Sequence, residues 1–160
     1  MKNLTDILSL LAKHDVDFVV VGGYAVAAYG SSFVTQDVDI CCDFSPENLL
    51  KLQTALGAAH PVHRMTPKRL PLVLTPESCE GINNLYLDTD IGQVDCLGSV
   101  LGVGDFEEVK QRSISVIIDG FTCRLIALSA LIEAKKAMGR PRDLAAVQEL
   151  EAIKEKLENE

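Results

Sequence analysis

Asp37 and Asp39 are the residues of this sequence best placed to do chemistry. They sit two apart in the run Asp-Val-Asp-Ile-Cys-Cys-Asp over 37–43, which reads as a half-buried strand. On a strand that spacing sends both side chains from one face, about 6.6 to 7 Å apart along the backbone. Two bare carboxylates so placed repel by about 0.6 kcal/mol in water and about 2.4 kcal/mol at an effective dielectric of about 20. A cation removes that cost. Val38 and Ile40 point the other way, to the core, so the aspartates crown an otherwise buried strand and are poor stability elements. Oxygen ligands suit hard divalent ions, Mg²⁺ or Mn²⁺, and no Cys or His lies at a spacing that would select zinc. The competing reading of an isolated D-x-D is a solvated strand face.

The surroundings sharpen the choice. Gly22 and Gly23 fall between a β-branched run and an Ala-rich stretch, the pattern of a buried strand, a tight turn and a short helix. Backbone N–H groups and the positive helix end at such a turn suit an anion such as phosphate, although a glycine pair alone is usually just a turn. Asp95, between Val94 and Cys96, is placed to face the same site. Asp88 and Asp90 compete for that role but sit nearer an expected turn, where Asp serves turn geometry.

The elements that must hold these residues follow from periodicity. Leu4, Ile7, Leu8 and Leu11 recur at helical spacing and predict an amphipathic helix over 3–14. A strand over 16–21 runs into the glycines, and a short helix over 24–29 closes at Gly30. Ser45-Pro46-Glu47 is a helix start, a capping hydroxyl before Pro at the first position, for a helix reaching about Leu56. Residues 60–76 carry His60, His63, Arg64, Lys68 and Arg69 among prolines and predict an extended, locally basic loop. Strands over 85–89 and 93–97 form one hairpin; strands over 114–118 and 121–126 form another around Asp119-Gly120, a type I′ dipeptide. Ser129 is expected to cap a helix through Met138, with Gly139 ending it. Pro141 opens a last helix with Leu144, Val147, Leu150, Ile153 and Leu157 on one face. This order predicts an α+β sheet with helices packed on it, not a doubly wound repeat.

Composition bounds the rest. The 160 residues hold 15 Lys+Arg against 23 Asp+Glu, a net charge of −8, with no Trp and 5% aromatics. A chain of this length reads as one domain over 1–160, able to bury roughly 70% of its unfolded surface without a metal or disulfide. The acidic balance and scarce aromatics argue against a general DNA or RNA binder. Five cysteines, Cys41, Cys42, Cys79, Cys96 and Cys123, are odd in number and lack C-x-x-C spacing, so buried free thiols in a reducing compartment are expected. A lone Lys2 followed by Asp6, Asp15 and Asp17 does not make a signal peptide, and the uncharged stretch 18–36 is interrupted by glycines, so a cytoplasmic protein without a membrane span is expected. His60 and His63 read as solvated loop residues, and the acidic end, 149–160, as the outer face of the last helix.

Taken together, Val-Val-Gly-Gly-Tyr-Ala from Val20, Thr-Gln-Asp-Val-Asp-Ile from Thr35 and Val-Asp-Cys-Leu from Val94 resemble the nucleotidyltransferase superfamily built on the polymerase-β-like palm. The segment Leu-Ile-Glu-Ala-Lys-Lys-Ala-Met-Gly-Arg-Pro-Arg-Asp-Leu from Leu131 resembles the closing motif of small bacterial members related to abortive-infection nucleotidyltransferase toxins. The resemblance implies a mixed sheet of the palm type over 1–128 and a C-terminal helical pair over 129–160. It implies that Gly22 and Gly23 approach the phosphates of a nucleoside triphosphate, that Asp37 and Asp39 hold two Mg²⁺ or Mn²⁺ ions, and that Asp95 completes the metal site and orients the attacking hydroxyl. Lys135 would contact the triphosphate and Arg142 would stand on the nucleotide side; Asp143 would cap or pair. A solvated helix charge beside Lys136 is the competing reading of Lys135.

The implied reaction is transfer of a nucleoside monophosphate to a hydroxyl acceptor, tRNA or a small molecule, with release of pyrophosphate; ATP is one donor the family uses. The toxin likeness leaves room for a cognate partner protein. Two positions depart from the family pattern: Gly23 stands where many relatives carry Ser, and Phe33 where small relatives often carry Arg. Both remove phosphate-binding groups, so the alternative is a catalytically weakened module that keeps the fold and binds a nucleotide or a partner.

Overall fold

The computed structural model describes residues 3–159, so Lys2 and Glu160 lie outside the described residues. Helix α1, Leu4–Lys13, is capped by Asn3, whose side chain accepts from the Thr5 N–H, and it buries Ile7, Leu8 and Leu11. Strand β1, Phe18–Val21, is buried throughout and feeds directly into helix α2, Gly22–Ala28. This helix starts two residues before the expected one and ends before Gly30, with Tyr29 as its cap. Strand β2, Asp37–Cys42, is followed by α3, Pro46–Leu56, where the Ser45 hydroxyl accepts from the Asn48 N–H as the capping pattern predicts. After a 3-10 turn, Gly57–Ala59, come β3, Val62–His63, β4, Asn84–Thr89, and β5, Gly92–Leu97. A small hairpin of β6, Ser99–Val100, and β7, Gly104–Asp105, leads into α4, Phe106–Gln111. Strands β8, Ser113–Ile118, and β9, Phe121–Ile126, join through Asp119 (φ 45°) and Gly120 (φ 85°), both left-handed as a type I′ turn requires. Helices α5, Leu128–Met138, and α6, Pro141–Glu158, close the described chain.

Seven strands form one mixed sheet in the order β3-β4-β5-β2-β1-β9-β8. β1 runs parallel to β9, and β2 parallel to β5, while the remaining neighbours are antiparallel. The α+β class read from the sequence is therefore the observed one, and the mixed sheet agrees with the resemblance. α1 covers the face bearing Val38, Ile40, Val94 and Cys96: a Cβ at Gly92 would lie 2.8 Å from Leu4 Cδ2. The opposite face carries Asp37, Asp39 and Asp95, and α5 lies over it.

Several expectations are corrected. β3, the β6–β7 hairpin and α4 were not foreseen: two-residue strands and a six-residue helix are too short to show a period. α5 opens at Leu128 behind Ala127, without the Ser129 side-chain cap. The expected apolar stripe of α6 is only partly buried, because Val147 and Leu150 enter the core while Leu144 and Leu157 are about half exposed. All five cysteines are free and buried, and burial pushes the Cys41 thiol up to about 12, which keeps it protonated and unreactive. No described helix is long and apolar enough to cross a membrane.

Candidate active site

The strand register brings the acids together. β2 and β5 pair in parallel with Asp39 opposite Asp95, and Asp37 projects from the same face one pleat earlier. One oxygen from each of Asp37, Asp39 and Asp95 lies within 4.8 Å of the others. Three carboxylates at that spacing are a hard-oxygen ligand set for a divalent cation such as Mg²⁺ or Mn²⁺. Burial first, then the charges of Asp37 and Asp95, push the Asp39 carboxyl up to about 7, with Lys135 and Arg64 pulling it back. A bound cation would remove that penalty, so the residues present fit the ion the resemblance implies.

Asp88 and Asp90, the competitors for the third position, are engaged elsewhere. Asp88 accepts from Arg69 at 2.6 Å, and Asp90 pairs with His60 Nδ1 at 2.5 Å. His63 lies in the edge strand β3 opposite Leu87 and joins no acidic cluster.

The two glycines each answer a close approach. Gly22 has φ +66°, and a Cβ there would fall 2.2 Å from Asp39 Oδ2, so no other residue fits without moving Asp39. At Gly23 a Cβ would lie 2.9 Å from Thr35 Oγ1. The space a Ser side chain would take at 23 is filled by Thr35, whose hydroxyl donates to the Asp37 carbonyl at 2.9 Å and stays within 3.2 Å of Asp37 Oδ1. The departure at Gly23 is thus accompanied by a hydroxyl from the neighbouring loop. Phe33, the other departure, stands at the cavity rim, 37% exposed.

Cations converge on the acids from three elements. Lys135, near the end of α5, is only 16% exposed and lies 3.6 Å from Asp143 Oδ1, so it is not the solvated charge of the competing reading. Its neighbour Lys136 is that charge, paired with Glu151 on the surface. Asp143 both caps and pairs: it accepts from the Arg140 N–H at 3.2 Å and from Arg140 Nε at 2.6 Å, and Arg140's hydrogen bond holds its carboxyl below the usual range. Arg140 and Arg142 line the same cavity as Lys135 and all three acids, with a volume of about 500 Å³. A roomier cavity of about 630 Å³ lies at the far end of β1, but its lysine at 110 is already paired with Asp17 at 2.9 Å, and among the described residues it gathers no ligand cluster.

Sequence reasoning missed Arg140, and it also missed Arg64. Arg64 follows β3, donates its own N–H to the Tyr86 carbonyl, and forks onto Asp95 at 2.6 and 3.1 Å. Its membership in a basic, Pro-rich loop was visible; nothing in the spacing pointed it at Asp95. Glu149 was likewise read only as an outer-face charge. Its carboxylate accepts from the Ser32 N–H at 2.7 Å and so ties α6 to the loop that carries Thr35.

No family model and no curated protein matches this sequence. Solved structures do match over nearly the whole chain. ANT(2'')-Ia in complex with adenylyl-2''-tobramycin aligns over 97% of this chain and 94% of its own, with a TM-score of 0.55 and 13% identity. The chain has the nucleotidyltransferase fold. A candidate nucleotidyltransferase from Thermotoga maritima, TM1012, shares this fold over 98% of this chain and 93% of its own, at a TM-score of 0.52 and 17% identity. An antigenic nucleotidyltransferase-like protein from Paracoccidioides brasiliensis covers 93% of this chain and 73% of its own, at a TM-score of 0.56 and 14% identity. Within the nucleotidyltransferase fold, the acid cluster lies on the central strands β2 and β5, and the cation-lined cavity lies above it.

Proposed function

We propose that this protein is a metal-dependent nucleotidyltransferase, formed as one unit over its length, that moves a nucleoside monophosphate from a nucleoside triphosphate to a hydroxyl acceptor. The observation that carries this reading is the meeting of Asp37, Asp39 and Asp95 within 4.8 Å in a cavity that also presents Lys135, Arg140 and Arg142. Acids alone would repel a triphosphate and cations alone would bind any anion. Both together suit a polyphosphate carried with Mg²⁺ or Mn²⁺.

Asp37 and Asp39 would hold the ion or ions, with Asp95 as a further ligand. Bound there, divalent metal supplies charge neutralisation at the reacting phosphate and the departing pyrophosphate. Lys135 and Arg142 take the phosphate oxygens, and the unsubstituted Cα atoms of Gly22 and Gly23 let the chain approach them. Asp95 orients the acceptor hydroxyl; each of its oxygens keeps a lone pair beyond the one Arg64 takes. The acceptor oxygen bonds to the α-phosphorus as the bond to the bridging pyrophosphate oxygen breaks, and the hydroxyl proton leaves toward Asp95. The acceptor is a small hydroxylated molecule or an RNA end: ANT(2'')-Ia holds an adenylylated aminoglycoside, whereas the net charge of −8 opposes extended RNA contact.

A second reading, a nucleotide-binding module without turnover, is favoured by one observation: Arg64 engages both oxygens of Asp95. Incubation with each α-labelled triphosphate, Mg²⁺ and a crude RNA or small-molecule extract separates the two. Label transfer that disappears in Asp37→Ala and Asp39→Ala supports catalysis. Triphosphate binding without pyrophosphate release supports the module. A melting temperature unmoved by metal and triphosphate removes both.

A further inference from the structure

Asp39, Lys135 and Met138 form a wall shared by two cavities, one of mixed and one of mostly aliphatic lining. On one side is the cation-lined space already described. On the other, beneath α5 and beside the β6–β7 hairpin, is a cavity of about 320 Å³ lined by Leu97, Val100, Leu101, Ile126 and Leu131. Among the described residues, no charged side chain apart from Asp39 and Lys135 lines it, and Ser99 supplies its one side-chain hydroxyl. Gly22, kept bare by Asp39, stands at its edge.

We infer that this apolar cavity receives the nucleobase of the triphosphate, an inference that rests on the nucleotidyltransferase reading. The phosphates have one favourable place. Arg140 and Arg142 both line the polar cavity and neither reaches the apolar one. The apolar cavity opens from the same residues, Asp39, Lys135 and Met138, and offers a base an almost wholly aliphatic lining, whereas the polar cavity sets Val26, Phe33, Val34 and Tyr86 among its acids and cations. The lining also fixes how selective the site is. A pocket with a single hydroxyl cannot leave unmatched polar groups against a wrong base, so it discriminates weakly. The four common ribonucleoside triphosphates are expected to bind within about tenfold of one another, purines tightest because they bury more apolar area.

Two variants test the inference against inorganic tripolyphosphate, which has the phosphates and no base. Ala134, 7% exposed, lines the cavity, and Ala134→Leu fills part of it. ATP affinity in the presence of Mg²⁺ is expected to fall about tenfold or more while tripolyphosphate affinity stays within about twofold. The sequence has no Trp, and Leu101 is 63% exposed at the cavity mouth, so Leu101→Trp installs a lone reporter where misfolding is not a concern. ATP and GTP are expected to change its emission, and tripolyphosphate is not. If Ala134→Leu weakens both ligands equally in a folded protein, or if ATP binds the Trp variant without changing its emission, the base lies elsewhere and the inference falls. If Ala134→Leu binds ATP normally but loses transfer, the cavity belongs to the acceptor and the inference again falls. Failure of the wild-type protein to bind either ligand would overturn the underlying nucleotidyltransferase reading instead.

Discussion

Strands β2 and β5 carry two rows of side chains in a single register, and the two faces serve opposite ends. On the face toward α1, Val38 lies opposite Val94 and Ile40 opposite Cys96, and all four are fully buried. One residue along, on the other face, Asp39 lies opposite Asp95 and Asp37 stands beside them. The backbone ladder is the same. What differs is that one row removes apolar surface from water, while the other holds charges that the fold alone leaves uncomfortable. The first row makes the second precise, because strand pairs locked by a dry face cannot slip without turning the aspartates into the core.

The largest effects should come from exchanging these roles. Asp37→Ala and Asp39→Ala are expected to lower nucleotidyl transfer by about a thousandfold or more, the scale of losing a principal electrostatic anchor. Their melting temperatures should stay at or above the parent value. Ile40→Ala, on the dry face, is expected to cost about 2–5 kcal/mol and to lower the melting temperature by roughly 10 °C, with transfer at a permissive temperature much less affected. Calorimetry and a labelled-triphosphate assay on the same samples decide this. If Ile40→Ala abolishes transfer while folded, or if Asp37→Ala melts as early as Ile40→Ala, the two faces do not divide their work in this way.

The dry face and the acid pair were legible in the sequence because alternation over 37–42 is a local signal. Register was not local, yet Asp95 could be named, since a carboxylate flanked by Val94 and Cys96 is itself an alternation. Arg64 could not. It reaches the acids through β3, two residues long, and through a chain of backbone pairings to β4 that no periodicity announces. Thr35 belongs to the same class: its closeness to Gly23 depends on how the loop before β2 folds back over α2. The apolar cavity was likewise hidden, because its lining comes from β1, α2, β2, β5, β9 and α5 and from a hairpin too short to be foreseen.

Arg64 offers the next smaller effect and tests whether the wet face is held by the ladder alone. Its fork onto Asp95 is 19% exposed against 14% for the carboxylate, so the hydrogen bonds are largely sheltered and their loss is expected to cost roughly 1–3 kcal/mol. Arg64→Ala should lower kcat by about tenfold to a hundredfold with little change in KM for the triphosphate, since it frees Asp95 to turn. Arg64→Lys keeps the charge but cannot span both oxygens, and should recover only part of the loss. An equal rise in KM would place Arg64 on the triphosphate instead.

The smallest effect, and the most diagnostic, is a gain. The Asp39 carboxyl sits at about 7 in the folded protein against an ordinary value of 3.8, so between those values the folded chain holds a proton that the unfolded chain has lost. The stability this brings is fully present below the unfolded value and is lost as pH rises through the folded one, where Asp39 ionises beside Asp37 and Asp95. Asp39→Asn keeps the shape and removes that charge. In metal-free buffer at about pH 8 the variant should melt a few degrees above the parent, and at about pH 5, where Asp39 itself is protonated, the difference should shrink toward zero. Mg²⁺ at about pH 8 should then raise the parent and leave the variant unmoved, because only the parent keeps the full ligand set. If instead Asp39→Asn lowers the melting temperature at both pH values without metal, the wet face is not under electrostatic strain. Its aspartates would then be stabilising the sheet as the valine and isoleucine behind them do.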